Sequence, residues 1–204
     1  RAVPDNVSCF CGKRAGNIIL ASGSPRRKEL LSLAGLENFI VAPVEVDETV
    51  QAELKPDEVV KRLSRKKAEG ASFSARDIII AADTVVSIDN KILGKPEDED
   101  EAVRMLTMLS GRTHRVYTGV TVRRGDEYLT EVESTTVYFR ELDEEEIQAY
   151  VKTGEPMDKA GSYGIQGRGC TFAKRLEGDY FNVMGLPMAR LAIMLKKFGV
   201  TLLK

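Results

Sequence analysis

Apolar residues recur along this chain with two different periods, and the changes of period mark its elements. "NIILA" (17–21) is a short apolar run broken by Ser22, Gly23 and Ser24. Ser24 followed by Pro25 is the order of an N-cap and a first helical residue. Leu30, Leu31 and Leu33 then supply an apolar helix face, and Gly35 ends it. "NFIVAPVEVDE" (38–48) reads as extended chain. Residues 56–70 are predicted to be helical, with Val59, Val60, Leu63 and Lys67 at helical spacing. "DIIIAAD" (77–83) is a β-branched run expected to form a buried strand, continued by "TVVSIDNKILGKP" through a turn at Asp89–Asn90 and a short return.

Pro96 is expected to open a further helix, with Val103, Leu106 and Leu109 inward and an end before Gly111. Residues 114–142 alternate and turn at Gly125–Asp126, so they predict a long hairpin. Asp143 caps a helix through about Lys152. A glycine-rich loop follows, "GEPMDKAGSYGIQGRG" (154–169), then a hairpin around Gly178, and Pro187 starts an amphipathic C-terminal helix. Residues 1–16 show no periodicity and read as a poorly ordered extension or the remnant of an upstream segment; 17–204 read as one domain. Strands mixed with helices and long hairpins predict an α/β fold built on a mixed sheet.

Composition narrows the function. With 43% hydrophobic and 30% charged residues the 204-residue chain is ordinary for a soluble globular protein. A formal net charge of −1 gives no electrostatic case for nucleic-acid or membrane-surface binding, so any anion site must be local. No apolar run approaches a membrane span, and residues 1–16 contain no signal-peptide core. Cys9, Cys11 and Cys170 form no disulfide framework, which suits a reducing cytoplasm. With the single histidine, His114, they leave a metal only oxygen ligands, which favours magnesium or manganese.

Arg26 and Arg27 fall in the first turn of a helix, where the dipole already places partial positive charge. Either a nearby carboxylate or a ligand phosphate should compensate them, the latter held by backbone N–H groups and guanidinium forks. Asp83 closes an apolar run, as a cap for the next turn or as an ionised group in a cleft. Lys95 follows a short strand and is fixed by Pro96. Lys67 aligns with the apolar residues at 60 and 63, so it snorkels or pairs with an anion. The glycine-rich loop contains neither G-x-G-x-x-G nor a Walker A lysine. Arg26, Arg27, Lys67 and Lys95 suit a polyphosphate, while Asp83 and Glu48 are hard oxygen ligands, or one ligand and one base.

"LASGSPRR", "VDE", "RKKA", "AADTVV", "GKP", "LSGRTHRVYTGV", "EPMDKAGSYGIQG" and "GDYFNVMGLP" together resemble the Maf family of nucleotide pyrophosphatases, from about Ile18 to the C-terminus. The resemblance implies a twisted mixed sheet with flanking helices, in two lobes around a central cleft. It also implies hydrolysis of a nucleoside triphosphate to the monophosphate and pyrophosphate with a divalent cation, a link to septum arrest, and a homodimer. Carried over by motif, Asp83 is the proton acceptor, and Ser22, Arg27, Glu48, Lys67 and Lys95 line the cleft, with Glu48 and Asp83 toward the metal. Arg26, Thr84 and Gln166 match the specificity positions of the dTTP/UTP branch, and Arg26 reaches phosphate as well. The 7-methyl-GTP branch would have "SPWR", and this chain has no tryptophan. A non-catalytic regulator of cell division is the alternative from another class.

Overall fold

The computed structural model describes residues 16–47 and 54–203. The extension expected over 1–16, all but Gly16, together with Cys9, Cys11 and Glu48, lies outside the described residues.

Among the described residues seven strands form one mixed sheet: β1 (Ile18–Leu20), β2 (Phe39–Val41), β3 (Ile78–Ile88), β4 (Lys91–Leu93), β5 (Thr113–Arg124), β6 (Glu127–Phe139) and β7 (Ala173–Glu177). The order is β2-β1-β3-β5-β6-β7, with β4 paired to β3. β1 runs parallel to β2 and β3, and the pairs from β3 through β7 are antiparallel. The helices are α1 (Pro25–Leu33), α2 (Pro56–Gly70), α3 (Glu99–Leu109), α4 (Glu144–Val151), α5 (Tyr180–Met184) and α6 (Met188–Lys197). They cover the sheet, and no helix among the described residues is long and apolar enough to cross a membrane.

The register of β3 makes room for a site. Its first residues, Ile78–Ile80, pair with β1, and Val86–Ile88 pair with β4 on the same side. Among the described residues, 82–85 therefore have no strand neighbour there, and the chain leaving β1 through Ser22 opens a cleft beside them. Of the two roles left open for Asp83, capping a following turn is not the one it has. β3 continues unbroken to Ile88, with Asp83 at its middle opposite Gly119; the strand that ends here is β1.

α2 lies on the face to which Asp83 belongs. Val59, Val60, Leu63 and Ala68 are buried beneath it, an apolar stripe with helical spacing. Three contacts seat it on β5. The backbone of Val60 passes over Gly119, where a Cβ would come within 2.2 Å of the Val60 carbonyl oxygen. Ser64 and Thr121 hydroxyls share a hydrogen bond of 3.0 Å, and Thr121 shares another with Thr130. Arg123 donates to the carbonyls of Ala68, Glu69 and Ala71, satisfying the end of the helix.

Two other expectations shift. The helix placed after Pro96 starts at Glu99, because the Asp98 side chain accepts the Glu101 N–H at 2.7 Å and makes the cap. No hairpin forms around Gly178. β7 ends at Glu177, Gly178 turns with φ 123°, and Asp179 caps α5 by accepting the Phe181 N–H. Alternation could not show that this strand is the last of the sheet.

Candidate functional site

The cleft has a volume of about 1330 Å³ and is bordered by the start of α1, α2, mid-β3, the β3–β4 hairpin, the glycine-rich loop and the α5–α6 turn. Ser22, Arg26, Arg27, Lys67, Asp83, Thr84, Lys95 and Gln166 all line it. Eight candidates spread over 145 positions of sequence thus meet around one cavity.

At its floor Lys67 Nζ lies 2.6 Å from Asp83 Oδ1, and each side chain is only 11% exposed. A lysine and a carboxylate so nearly removed from water are costly to place without each other. Lys67 therefore pairs with an anion, one of the two roles its helical position left open. Lys95 is exposed and lines the same cleft, as do Asn90 and Lys91 from the β3–β4 turn.

α1 starts with Ser24 in extended conformation but without a side-chain cap, and no acidic residue occupies its first turn. Arg26 Nη1 approaches Asp158 Oδ2 at 3.5 Å, so a carboxylate of the glycine-rich loop compensates it. Asp158 is itself held below the usual carboxylate range. Burial opposes this, but the hydrogen bond and charge of Lys159 and the charge of Arg26 outweigh burial. Arg27 donates from Nε to Gly185 O (2.8 Å), from Nη1 to Ser22 Oγ (3.0 Å) and from Nη2 to Thr84 Oγ1 (3.1 Å). It thereby ties the start of α1 to mid-β3 and to the end of α5. The Thr84 hydroxyl also bonds Thr118 Oγ1 at 2.9 Å, so Arg27 and Thr118 fix it on the cleft wall.

The glycine-rich loop is wound around Glu155. This carboxylate accepts the Tyr150 hydroxyl (2.9 Å) and the N–H groups of Arg168 (3.0 Å) and Gly169 (3.3 Å). Burial disfavours its charge, but the hydrogen bonds from Arg168, Tyr150 and Gly169 and the Lys159 charge hold its carboxyl below the usual range. A Cβ at Gly167 would lie 2.3 Å from Glu155 Oε1, which explains one of the glycines. Burial pushes the Tyr150 hydroxyl up, so it remains a donor. Gln166 is exposed between these anchors and donates from Nε2 to Glu29 Oε1 on α1 at 2.9 Å.

Behind the loop, His114 Nε2 and the Tyr163 hydroxyl share a hydrogen bond of 2.8 Å. Burial lowers the His114 pKa to about 4, and its Nδ1 has no partner among the described residues. His114 is a core residue and forms T-shaped contacts with Phe139 and Tyr163. Among the described residues no group of three His, Cys, Asp or Glu side chains comes together to hold a metal. Sequence reasoning missed Glu29, Glu155, Asp158 and Lys159. Glu29 carried one signal, its position three residues after Arg26 on the same helix.

A family model described as Maf-like protein matches residues 17–198. The chain is 50% identical over 190 residues to a dTTP/UTP pyrophosphatase of Bacillus cereus, covering 93% of each. It is 52% identical over 184 residues to the protein of the same name from Bacillus thuringiensis subsp. konkukian, covering 90% of this chain and 96% of that one. A solved HAM1 protein from Coxiella burnetii superposes with a TM-score of 0.51 at 12% identity, over 89% of this chain and 99% of the other. The Ham1 protein of Staphylococcus aureus gives 0.50 at 12% identity, with the same coverage. These two share the fold.

Proposed function

The chain belongs to the Maf family, and from that premise we propose that it is a nucleoside triphosphate pyrophosphatase that converts dTTP and UTP to the monophosphate and pyrophosphate. The names of relatives at half identity support the substrate class. The Lys67–Asp83 pair on the floor of a cation-lined cleft is the observation that carries the chemistry.

In this reading a water attacks the α-phosphorus, its proton passes to Asp83, and the bond to the β-phosphate oxygen breaks. Lys67 holds Asp83 in place and, with Lys95 and Arg26, offsets charge on the phosphate oxygens and the leaving pyrophosphate. Arg27 adds charge from the start of α1 while it positions Ser22 and Thr84. No covalent intermediate is required, so Cys170 and the serines have no nucleophilic role. Gln166 faces the base, as the resemblance to the dTTP/UTP branch implies, and it lines the same cleft as Lys67.

A divalent cation fits this donor set. Asp83 offers a hard oxygen in a nearly dry position, and magnesium is commonly held by one or two carboxylates plus substrate phosphates. Glu48 would hold it, as the resemblance implies, and Asp83 would be either its second ligand or the acceptor of the water's proton. Such an ion supplies charge neutralisation and a more acidic water. The reading extends to removal of modified pyrimidine nucleotides from a cytoplasmic pool, to septum arrest and to a homodimer.

The test is pyrophosphate release from UTP, dTTP, CTP, GTP and 7-methyl-GTP with magnesium or manganese, repeated in excess chelator. UTP and dTTP should react fastest, and chelation should abolish turnover. Preference for 7-methyl-GTP, or no pyrophosphate from any nucleotide, overturns the proposal.

A further inference from the structure

Gln166 lines the cleft and Glu29 does not, yet the two are joined by a hydrogen bond of 2.9 Å from Gln166 Nε2 to Glu29 Oε1. A carboxylate only accepts hydrogen bonds. The amino end of the Gln166 amide must therefore face Glu29, and Oε1 occupies the other end. Which way round an amide sits is decided by its partners, and here the partner admits one answer. The same helix face makes a second bridge to the same loop, from Arg26 to Asp158. Arg26 and Glu29 are three residues apart on α1 and so stand side by side.

We propose that Glu29 is a positioning residue that makes Gln166 distinguish uracil and thymine from cytosine. The inference rests on the reading that Gln166 meets the base. Uracil and thymine carry an N3–H donor between two carbonyl acceptors, whereas cytosine has an acceptor at N3 and an amino donor at C4. With one amino hydrogen committed to Glu29, Gln166 Oε1 accepts the N3–H and the second amino hydrogen reaches a neighbouring carbonyl. Cytosine demands the reverse order. To supply it the amide must turn end for end, which sets its carbonyl oxygen against the Glu29 carboxylate, acceptor against acceptor. An unanchored glutamine would accommodate both bases by flipping. Glu29 thus converts an adaptable side chain into a directional one without touching the ligand. Guanine is a separate matter, because its N1–H and O6 present the same donor–acceptor order as uracil, so the Gln166 orientation should not affect its rejection.

The experiment measures kcat/KM for UTP, dTTP, CTP and GTP in the wild type, Glu29→Gln, Gln166→Ala and the double variant. A glutamine at 29 both donates and accepts, so it tolerates either orientation of Gln166. The UTP:CTP ratio should fall roughly threefold to tenfold in Glu29→Gln, the worth of one hydrogen bond to an uncharged group. The UTP:GTP ratio should hold, and Glu29→Gln should change nothing further once Gln166 is alanine. If Gln166→Ala lowers UTP:CTP and Glu29→Gln leaves it unchanged, the orienting role is overturned while the base contact stands. If Gln166→Ala scales all four nucleotides alike, the base contact is wrong and this inference falls with it. A parallel loss of UTP:CTP and UTP:GTP in Glu29→Gln means a displaced loop and also overturns the orienting role.

Discussion

Asp83 and Gly119 face each other across the β3–β5 pair, and the missing side chain at Gly119 lets α2 lie close enough for Lys67 to reach Asp83. Cross-strand partners project from the same face of a sheet. The helix that delivers Lys67 passes directly over Gly119, with the Val60 carbonyl oxygen 2.2 Å from where a Cβ would be. The ion pair on the cleft floor thus depends on a glycine on another strand.

Gly119→Ala should accordingly damage activity more than folding. The new methyl meets backbone, which cannot rotate away, so α2 must lift. Overpacking of this kind costs about 1–3 kcal/mol. Thermal unfolding should show a lower but cooperative transition, while pyrophosphate release from UTP drops at least tenfold, about 1.4 kcal/mol of transition-state stabilisation. Wild-type turnover in a folded Gly119→Ala protein would separate the glycine from the site.

Asp83→Asn keeps the shape of the side chain and removes its charge. Turnover of UTP should fall roughly 10²–10⁴-fold, the usual contribution of a positioned acid or base. Lys67→Met should also reduce it, since Asp83 loses the group that holds it at 2.6 Å. Stopped-time assays of pyrophosphate at saturating UTP measure both effects, and near-normal rates in Asp83→Asn would remove Asp83 from the chemistry.

Glu155→Gln places an amide among three groups that all donate to the native carboxylate. Leaving one buried donor unmatched costs about 1–3 kcal/mol. Amide exchange at Arg168 and Gly169 should accelerate, and KM for UTP should rise more than kcat falls, because the loop that carries Gln166 loosens while Asp83 is untouched. Unchanged exchange at those two amides would show that Glu155 does not organise the loop.

His114 gives the protein an acid-side limit. Its pKa falls from an unfolded value near 6.5 to about 4 on burial, so the unfolded chain binds a proton that the folded one does not. The associated stability is fully present above the unfolded pKa. It is lost as pH falls from about 6.5 toward about 4, by up to roughly 3 kcal/mol. Urea midpoints measured from pH 7 to pH 4.5 should decline over this interval in the wild type and decline less in His114→Phe. Parallel curves for the two proteins would assign the loss to other groups.

Periodicity was sufficient for the elements that bury one face. The stripe of Val59, Val60 and Leu63 marked α2 and placed Lys67 on its inner edge, and alternation over 114–142 marked the β5–β6 hairpin. Serine before proline marked the start of α1, and eight ordered motifs were enough for the family. These signals are local, since each reflects how neighbouring residues share a surface. Only the tertiary structure decided which carboxylate each cation or amide meets. Asp83 answers Lys67 across 16 residues, Asp158 answers Arg26 across 132, and Glu29 answers Gln166 across 137. The fate of the segment around Gly178 was equally out of reach, because a strand at the end of a sheet is defined by the partner it lacks. Charges and amides carry no periodicity of their own, and their roles follow from the distance and burial that folding imposes between residues far apart in the chain.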